Sequence, residues 1–299
     1  MAGTQTNIGF VGLGRMGGNM AARFLAAGYT VYGEEQSREH VQDLVDEGLR
    51  WCDTPREVAA AAEIIFTSLP NDRVLEEVNS GPDGILAGLA EGKTWVDVST
   101  VSPRVSRDLA TRVRERGAVM LDAPVSGSVP QVRSGTLTIM VGGDEDAYRR
   151  VEPILRELGT PNYIGPNGQG LVLKLAINIS LAVQMLAFAE GLLLAERSGV
   201  DRQRALEVMA ESAIGSPMLK ARAPIIFEPP EEAWFTLAFM QKDIELALDA
   251  ARALEIPLPT ADRADEILER ARALGYERRD LAALFQVLER MSADRRHAA

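Results

Sequence analysis

The chain begins with a short apolar strand that leads directly into a glycine-rich turn and then a helical pattern. The apolar segment Asn7–Val11 is followed by Gly12-Leu13-Gly14-Arg15-Met16-Gly17, and apolar residues then recur at helical spacing as far as Gly28. A second strand, 30–33, comes next. This order of strand, glycine turn, helix and strand is the context that the dinucleotide-binding fingerprint requires. It predicts a parallel sheet with a nucleotide bound at its edge.

Each glycine of the turn has a physical task. Gly12 allows the tight turn, Gly14 lets the backbone approach a pyrophosphate, and Gly17 lets the helix pack close to the strand. Free N–H groups at the helix N-terminus then bind the phosphates. The predicted cofactor contacts in this segment are Gly12, Leu13, Gly14, Arg15 and Met16.

An acidic residue at the end of the second strand is expected to bind the adenosine ribose hydroxyls. Glu34 and Glu35 both stand there, and the spacing favours Glu35. The next residue is Gln36 rather than arginine, which leaves a 2′-phosphate without an obvious partner, although Arg38 is near enough to supply one. The sequence therefore favours NAD as cofactor and leaves NADP as the alternative.

The first half continues as alternating strands and helices. Ligands of a doubly wound sheet bind at the carboxyl ends of its strands, so Leu69, Pro70 and Thr100 are further candidates for the cofactor site. The predicted later strands are 63–68, 94–98, 118–121, 136–141 and 163–164, and the predicted helices between them are 38–47, 72–78, 103–116 and 144–158.

The second half has no convincing strand-like alternation and is predicted to be helical. We therefore expect a Rossmann-type, doubly wound α/β domain, 1–164, followed by an all-α domain, 165–299, with a long helix between them. The deepest cleft is expected between the two domains. The predicted helices are 171–198, 201–212, 217–223, 240–254, 258–273 and 280–289.

The segment 165–178 carries the candidate catalytic residue. Three glycines open an apolar helix in which Lys174 is the first charge, and Asn178 follows one turn later on the same face. A buried ammonium is costly unless it has a partner or a function, and lysine suits proton transfer because burial readily lowers its pKa. The alternative is that its stem packs while its head reaches solvent.

Histidine can hardly take this role, because the chain has 2 histidines. His40 lies in a predicted surface helix and His297 in the polar tail. A Ser-His-Asp triad, a histidine-based zinc site and a dehydrogenase with a histidine acid are therefore not expected. Lys174 becomes the leading candidate for proton transfer, and no metal site is predicted.

Composition limits the class of protein. The 299 residues include 43 acids and 32 bases, a net charge of −11, which argues against a nucleic-acid partner or an anionic membrane surface. The single cysteine, Cys52, and the polar N-terminal residues without a signal-peptide pattern indicate a cytoplasmic protein. The uncharged run 175–189 is shorter than the roughly 18–20 residues of a membrane helix, so we expect a buried helix. Its extensive apolar surface predicts a homodimer or homotetramer.

Four motifs, in order along nearly the whole chain, resemble those of one family. They are the glycine turn with Phe10 and Val11 before it, Asp122-Ala123-Pro124-Val125-Ser126-Gly127, the segment 165–178, and Met240-Gln241-Lys242-Asp243. Together they resemble the β-hydroxyacid dehydrogenases, the family that includes 3-hydroxyisobutyrate dehydrogenase and tartronate semialdehyde reductase.

The resemblance implies a role for each matching residue. Lys174 would exchange a proton with the oxygen of a small hydroxyacid or semialdehyde while a hydride moves to or from the nicotinamide. Asn178 would hold the substrate, and Ser126, Gly127 and the neighbouring Ser128 would bind its carboxylate. The resemblance also places Leu69, Pro70 and Thr100 on the nicotinamide side, Lys242 near the cofactor, and Asp243 in support of the site.

One departure concerns the substrate loop, where the family has glycines at the positions of Ser128 and Gln131. Bulkier residues there are expected to reshape the pocket and so to affect substrate choice. Two alternatives from other classes remain: imine reduction, for which relatives generally lack the lysine, and a non-catalytic nucleotide-binding module. Lys174 and Asn178 argue against both.

Overall fold

The structure, a computed structural model, describes residues 6–297. The chain divides into two compact units, Met1–Lys174 and Leu175–Ala299. The first combines a sheet with helices, whereas residues 175–297 of the second form helices and a single isolated bridge between Thr236 and Asp280. The predicted class, a Rossmann-type α/β domain followed by an all-α domain, is confirmed.

The sheet of the first unit is parallel over most of its width. Six neighbouring strands run parallel in the order β3-β2-β1-β4-β5-β6, while β8 pairs antiparallel with β6 and with β7, and parallel with β9. Reversal of strand order between β1 and β4 is the switch point of a doubly wound fold. The strands are β1 (Asn7–Val11), β2 (Thr30–Glu34), β3 (Arg50–Trp51), β4 (Ile64–Thr67), β5 (Thr94–Asp97), β6 (Val119–Asp122), β7 (Val125–Ser126), β8 (Leu137–Gly143) and β9 (Gly159–Gly165).

Helices connect these strands, and several begin at a side-chain cap. Thr54, Asn71 and Asp144 each accept a hydrogen bond from a backbone N–H in the first turn of the helix that follows, which satisfies a donor that the helix itself cannot. The helices are α1 (Arg15–Ala26), α2 (Gln42–Asp46) after a 3₁₀ turn (Arg38–Val41), α3 (Pro55–Ala61), α4 (Asp72–Asn79), α5 (Ile85–Gly88), α6 (Pro103–Arg114), α7 (Val129–Ser134) and α8 (Glu145–Leu155).

Both faces of the sheet are covered by apolar side chains. Phe10 and Phe66 stack at 5.8 Å in the cluster on one face, and Phe24 from α1 lies 5.0 Å from Phe66. Ile65 and Trp95 belong to the cluster on the other face. Strand residues that are buried on both faces explain why these strands read as continuous apolar runs.

The second unit packs its helices around one apolar core. Phe188, Met240, Leu268 and Phe285 are among its most buried members. The helices are the remainder of α9 (Gln169–Arg197), which begins in the first unit, then α10 (Arg202–Glu211), α11 (Pro217–Phe227), α12 (Leu237–Ala253), α13 (Pro259–Ala273) and α14 (Leu284–His297) after a 3₁₀ turn (Leu281–Ala283).

Helix α9 is the element that sequence reasoning described most fully. Among the described residues it is the one helix long and apolar enough to cross a membrane by length and composition, with a mean hydropathy of 1.9 and 44% of the tested window buried. The buried core helix of a soluble protein passes the same test. Asn178, which is 1% exposed, lies within it.

Some predicted element limits were wrong. Helix α11 continues past Pro224 to Phe227, because Ile226 is buried in the core and its packing outweighs the hydrogen bond that proline cannot donate. The helix predicted at 38–47 is a 3₁₀ turn followed by the short α2. The two-residue strands β3 and β7 and the short helices α3, α5 and α7 were not predicted.

Candidate active site

The glycine turn has the geometry that its sequence predicts. Gly12 has a φ of +85°, and a Cβ there would lie 2.6 Å from the Ser68 carbonyl oxygen; a Cβ at Gly17 would lie 2.0 Å from the Gly12 carbonyl oxygen. Neither position can hold a side chain without moving the backbone. Gly14 is different, because a Cβ there meets nothing within 4 Å. Its exposed backbone is therefore open to a ligand.

The N-terminus of α1 lies at the same turn and suits an anion. Gly14 is its N-cap, no side chain caps it, and its first turn contains no acidic residue. Backbone N–H groups at an uncapped helix N-terminus can bind phosphate oxygens. Leu13 is buried, Met16 is half-buried and Arg15 is exposed beside this N-terminus. The residues present thus fit the pyrophosphate of a dinucleotide.

Glu35 joins the end of β2 to the glycine turn. Its carboxylate accepts the N–H of Leu13 at 2.7 Å and the N–H of Gln36 at 2.9 Å. Each carboxylate oxygen keeps capacity for a further donor such as a ribose hydroxyl. Burial, and then the neighbouring charge of Glu35, raises the pKa of Glu34 to about 7. Glu34 contacts the glycine turn through its backbone carbonyl, which accepts the Gly12 N–H at 3.1 Å, whereas Glu35 is the candidate whose carboxylate bonds to the turn.

The loops after β4 and β5 lie at the same edge of the sheet. Thr67 pairs with Val11 on one side and with Asp97 on the other, so Gly12, Leu69 and Thr100 all follow neighbouring parallel strands. The Leu69 N–H donates to Ser99 Oγ at 2.8 Å, which ties the first loop to the second. Leu69 and Thr100 are half-buried and Pro70 is exposed. The structure therefore brings these predicted cofactor residues together.

The predicted substrate loop contains Ser126 at the end of β7, then Gly127 with a φ of +131°. Ser128 is the N-cap of α7, and its N–H and Oγ both donate to Gln131 Oε1, at 2.9 and 3.1 Å. The two residues that depart from the family pattern are thus bonded to each other. Gln131 occupies donors of Ser128 that lie next to the predicted carboxylate site.

Asp122, which sequence reasoning did not single out by role, connects this loop to α9. Its buried carboxylate accepts the N–H of Gly168 at 2.7 Å and that of Leu171 at 3.1 Å. Burial raises the pKa of Asp122, although these backbone hydrogen bonds act in the opposite direction. A Cβ at Gly170 would lie 2.8 Å from Asp122 Oδ2. In the sequence, the glycine at position 170 is the one feature that could have indicated this close approach.

Lys174 and Asn178 are both buried on α9, one turn apart. Lys174 is 9% exposed and belongs to the first unit. In the second unit, Asn178 Nδ2 donates to Asp243 Oδ2 at 2.5 Å, and Lys242 Nζ lies 2.8 Å from Asp243 Oδ1. The late Lys-Asp motif and the asparagine of the catalytic motif therefore form one polar chain, in which Asn178 and Asp243 are buried and Lys242 is half-buried.

The glycine turn, the open helix N-terminus and the sheet edge place the protein in the class with dinucleotide-binding Rossmann domains, and comparison with known proteins gives its family. Residues 7–168 match the family model described as the NAD binding domain of 6-phosphogluconate dehydrogenase, and residues 168–288 match the model for the NAD-binding domain of NADP-dependent 3-hydroxyisobutyrate dehydrogenase.

Individual relatives agree with these models. The chain is 37% identical to 2-(hydroxymethyl)glutarate dehydrogenase of Eubacterium barkeri, over 95% of both chains. It is 36% identical to 2-hydroxy-3-oxopropionate reductase of Escherichia coli (strain K12), over 95% of this chain and 98% of the relative. The structure of 3-hydroxyisobutyrate dehydrogenase from Mycobacterium tuberculosis with L-serine matches with a TM-score of 0.84 and 29% identity, over 95% of this chain and 99% of that one.

The chain therefore belongs to the β-hydroxyacid dehydrogenase family, as its motifs predicted. It is an oxidoreductase that uses a nicotinamide dinucleotide, NAD or NADP, to interconvert hydroxyacids and the corresponding carbonyl compounds.

Proposed function

We propose that the protein interconverts a small acid bearing a primary alcohol and the corresponding semialdehyde, with Lys174 as the proton-transfer residue. The observation that carries this proposal is the burial of Lys174 on a helix whose N-terminus is bonded to Asp122, at the start of the predicted substrate loop.

The substrate class follows from what the named relatives have in common. The compounds in the names of the two relatives and the solved structure share a carboxylate and a three-carbon core that ends in an alcohol or an aldehyde. They differ in the substituent on the middle carbon. We propose that Ser126 and Gly127 bind the shared carboxylate, and that Ser128 joins them when the carboxylate replaces Gln131 Oε1 as the acceptor of its donors. We also propose that Ser128 with Gln131 selects the substituent.

Each side chain has a defined part in the reaction. When bound, the nicotinamide supplies or accepts the hydride. Lys174 Nζ gives a proton to the carbonyl oxygen during reduction, or takes the hydroxyl proton during oxidation. Asn178, whose amide is already oriented by Asp243, positions the substrate oxygen. The family resemblance gives Lys242 a cofactor contact.

Substitution of Lys174 tests the proposal. Lys174→Ala is expected to lower kcat by the 10²–10⁴-fold typical of general acid–base catalysis, and Lys174→Arg is not expected to restore it, because a guanidinium stays protonated. Asn178→Ala is expected to have a milder effect. Lys220→Ala, at an exposed lysine paired with Glu211, is the control and should keep normal turnover.

The assay measures NADH and NADPH oxidation with semialdehydes of the three relatives' substrate types, and the reverse reaction with the alcohols. If Lys174→Ala kept more than about a tenth of the wild-type kcat, well short of the acid–base range, the assigned role of Lys174 would be wrong. Turnover of cyclic imines with no turnover of semialdehydes would favour the alternative of imine reduction. Absence of any turnover together with tight cofactor binding would favour a binding module.

Further parts of the proposal concern the cofactor, the compartment and the domain limits. We propose NAD as the preferred cofactor, because the Glu35 carboxylate lies at the end of β2 and would repel a 2′-phosphate. We also propose a cytoplasmic location, domain limits of 1–164 and 165–299, and a small-molecule substrate with no nucleic-acid or membrane partner.

We propose a homodimer or homotetramer as the assembly. Most apolar residues of 182–192 pack in the core of their own unit, so they are not available to a partner. Exposed apolar side chains remain at Leu194, Val208 and Ile214, which are 70%, 55% and 54% exposed. Light scattering at micromolar concentration should therefore give a mass of at least twice 32.4 kDa.

A further inference from the structure

A continuous set of buried hydrogen bonds joins the ends of β4 and β5 below the two predicted nicotinamide loops. Thr67 Oγ1 and Ser99 Oγ both donate to Asp97 Oδ1, at 2.8 and 2.5 Å, and the Ser99 N–H donates to the same oxygen at 3.1 Å. Trp95 Nε1 donates to Thr67 Oγ1 at 2.9 Å. We refer to Thr67, Trp95, Asp97 and Ser99 as the Asp97 network.

The network ends on the backbone of the first loop. The Leu69 N–H donates a hydrogen bond to Ser99 Oγ, and the Ser99 hydroxyl in turn donates a hydrogen bond to Asp97 Oδ1. Each hydroxyl in the set therefore accepts one bond and donates another, with the Asp97 carboxylate as the final acceptor. Since the four side chains are at most 4% exposed, water cannot readily replace these bonds, and the loop position depends on them.

A buried aspartate such as Asp97 costs more free energy than a neutral acceptor would if its role were only to link two strands. Its Oδ2 is buried and has no hydrogen-bond partner among the described residues. A neutral asparagine or an apolar pair would link two strands at lower cost, because an incompletely paired buried charge is unfavourable. The carboxylate does give stronger hydrogen bonds than a neutral acceptor, and those bonds lead to the two loops that carry Leu69 and Thr100.

We propose that Asp97 and Ser99 are positioning residues that fix the loops on the nicotinamide side of the cofactor site. They act through the Leu69 backbone and through the chain that leads to Thr100, and neither is assigned a contact with the substrate. This inference rests on the proposed placement of Leu69, Pro70 and Thr100 beside the nicotinamide. It predicts an effect on the nicotinamide half of the cofactor and none on the adenosine half.

The test compares two ligands that differ in the nicotinamide. Titrations measure the Kd of NADH and of ADP-ribose, which lacks that ring, for the full-length protein. Ser99→Ala is expected to weaken NADH binding about tenfold, as expected when a loop loses one buried hydrogen bond, and to leave ADP-ribose binding within about twofold. Asp97→Asn keeps an acceptor oxygen and is expected to have a smaller effect that is likewise confined to NADH.

Ser106→Ala is the matched control. Ser106 is as deeply buried as the network, and its Oγ has no hydrogen-bond partner among the described residues. Its N–H bonds to the Ser102 carbonyl oxygen at 3.0 Å, and alanine keeps that bond. This variant therefore removes a buried hydroxyl that makes no hydrogen bond to either loop, and it should leave both Kd values unchanged. Asp97→Asn, which is nearly isosteric, provides the same comparison should Ser99→Ala fold poorly.

Two results would overturn the inference. The first is that Ser99→Ala and Asp97→Asn each weaken NADH binding and ADP-ribose binding by the same factor, which would show a general structural role. The second is that the Kd of NADH stays unchanged in both variants. Failure of the wild-type protein to bind either ligand would overturn the proposed function and this inference together. Normal cofactor binding in Ser99→Ala with loss of turnover in Lys174→Ala would overturn the inference alone.

Discussion

The buried carboxylate of Asp97 makes the stability of the first unit depend on pH in a defined direction. Burial raises its pKa from 3.8 to about 6, against the hydrogen bonds from Ser99 and Thr67, which lower it, and with a smaller raising effect from Asp122. The folded state therefore holds the Asp97 proton more tightly than the unfolded chain does. The stabilisation is complete only below the unfolded pKa of 3.8, and it is lost as the pH rises through the folded pKa of about 6.

The size of the effect follows from the same values. A rise in pKa from 3.8 to about 6 corresponds to about 3 kcal/mol of unfolding free energy, at about 1.36 kcal/mol for each unit. Asparagine at this position carries no charge at any of these pH values. The unfolded aspartate, with a pKa of 3.8, is already more than half ionised at pH 4. The stability of the wild-type protein relative to Asp97→Asn should therefore fall by about 2.4 kcal/mol between pH 4 and pH 7, and then stay constant.

Urea unfolding of both proteins at pH 4, 5, 6 and 7 measures this difference. Both proteins carry Trp234→Phe, which removes the tryptophan of the second unit, so that the fluorescence of Trp51 and Trp95 reports on the first unit. The Trp95 indole donates to Thr67 within the Asp97 network. Asp83→Asn, at an exposed aspartate, is the control and should change the difference much less. A wild-type minus Asp97→Asn difference that is constant to within about 0.5 kcal/mol over this range, or that rises with pH, would refute the reasoning.

Three further predictions concern the cofactor turn and the helix that carries Lys174. Gly17→Ala should lower stability by about 2 kcal/mol or more, because the new Cβ would lie 2.0 Å from a backbone oxygen, whereas Gly14→Ala should unfold normally in denaturant titrations but bind NADH more weakly. Glu35→Ala should bring the NADH to NADPH ratio of kcat/KM closer to one, and a ratio that moves further toward NADH would contradict this. Asp122→Asn should lower the melting temperature by roughly 4–8 °C, because it loses about 2 kcal/mol of helix capping, and it should also reduce kcat. The control Asp144→Asn, which changes the cap of α8, should lower stability without reducing kcat. An equal loss of kcat in the two variants would contradict a role of Asp122 at the site.

The parts of the fold that sequence predicted are those that depend on local chemistry. Gly17 is required by its contact with the Gly12 carbonyl oxygen within the same turn, and Gly12 by its φ of +85°, so both appear in the spacing of the turn. The contact of Gly12 with Ser68, which follows β4, is not visible in the sequence. Strands β1, β4 and β5 are buried on both faces and therefore read as apolar runs. The long α9 was evident because its apolar residues continue over many turns.

The unpredicted parts depend on partners that are distant in sequence or on elements too short to show a period. Strands β3 and β7 contain two residues each, and helices α5 and α7 have four and six, which is less than two helical turns. Asp122 finds its partners at Gly168 and Leu171, far along the chain. The sequence places Asp122 in the motif of the substrate loop, but it does not show that the Asp122 carboxylate caps the N-terminus of α9.

The two buried aspartates of the first unit, Asp97 and Asp122, lie next to each other in the sheet and hold different parts of the site. Asp97 and Asp122 occupy paired positions on the neighbouring parallel strands β5 and β6. Two buried carboxylates this close repel each other when both are ionised, so Asp122 raises the pKa of Asp97. Each compensates through donors from a different segment: Asp97 through Thr67 and Ser99 below the nicotinamide loops, Asp122 through the N-terminus of α9. Since α9 carries Lys174, one pair of adjacent strand ends positions both the proposed hydride side and the proposed proton side of the reaction. Replacement of buried charges by apolar residues is often neutral or stabilising, so stability alone does not account for two such carboxylates. Their placement fits a site in which loop and helix must be held in fixed relation to one sheet edge.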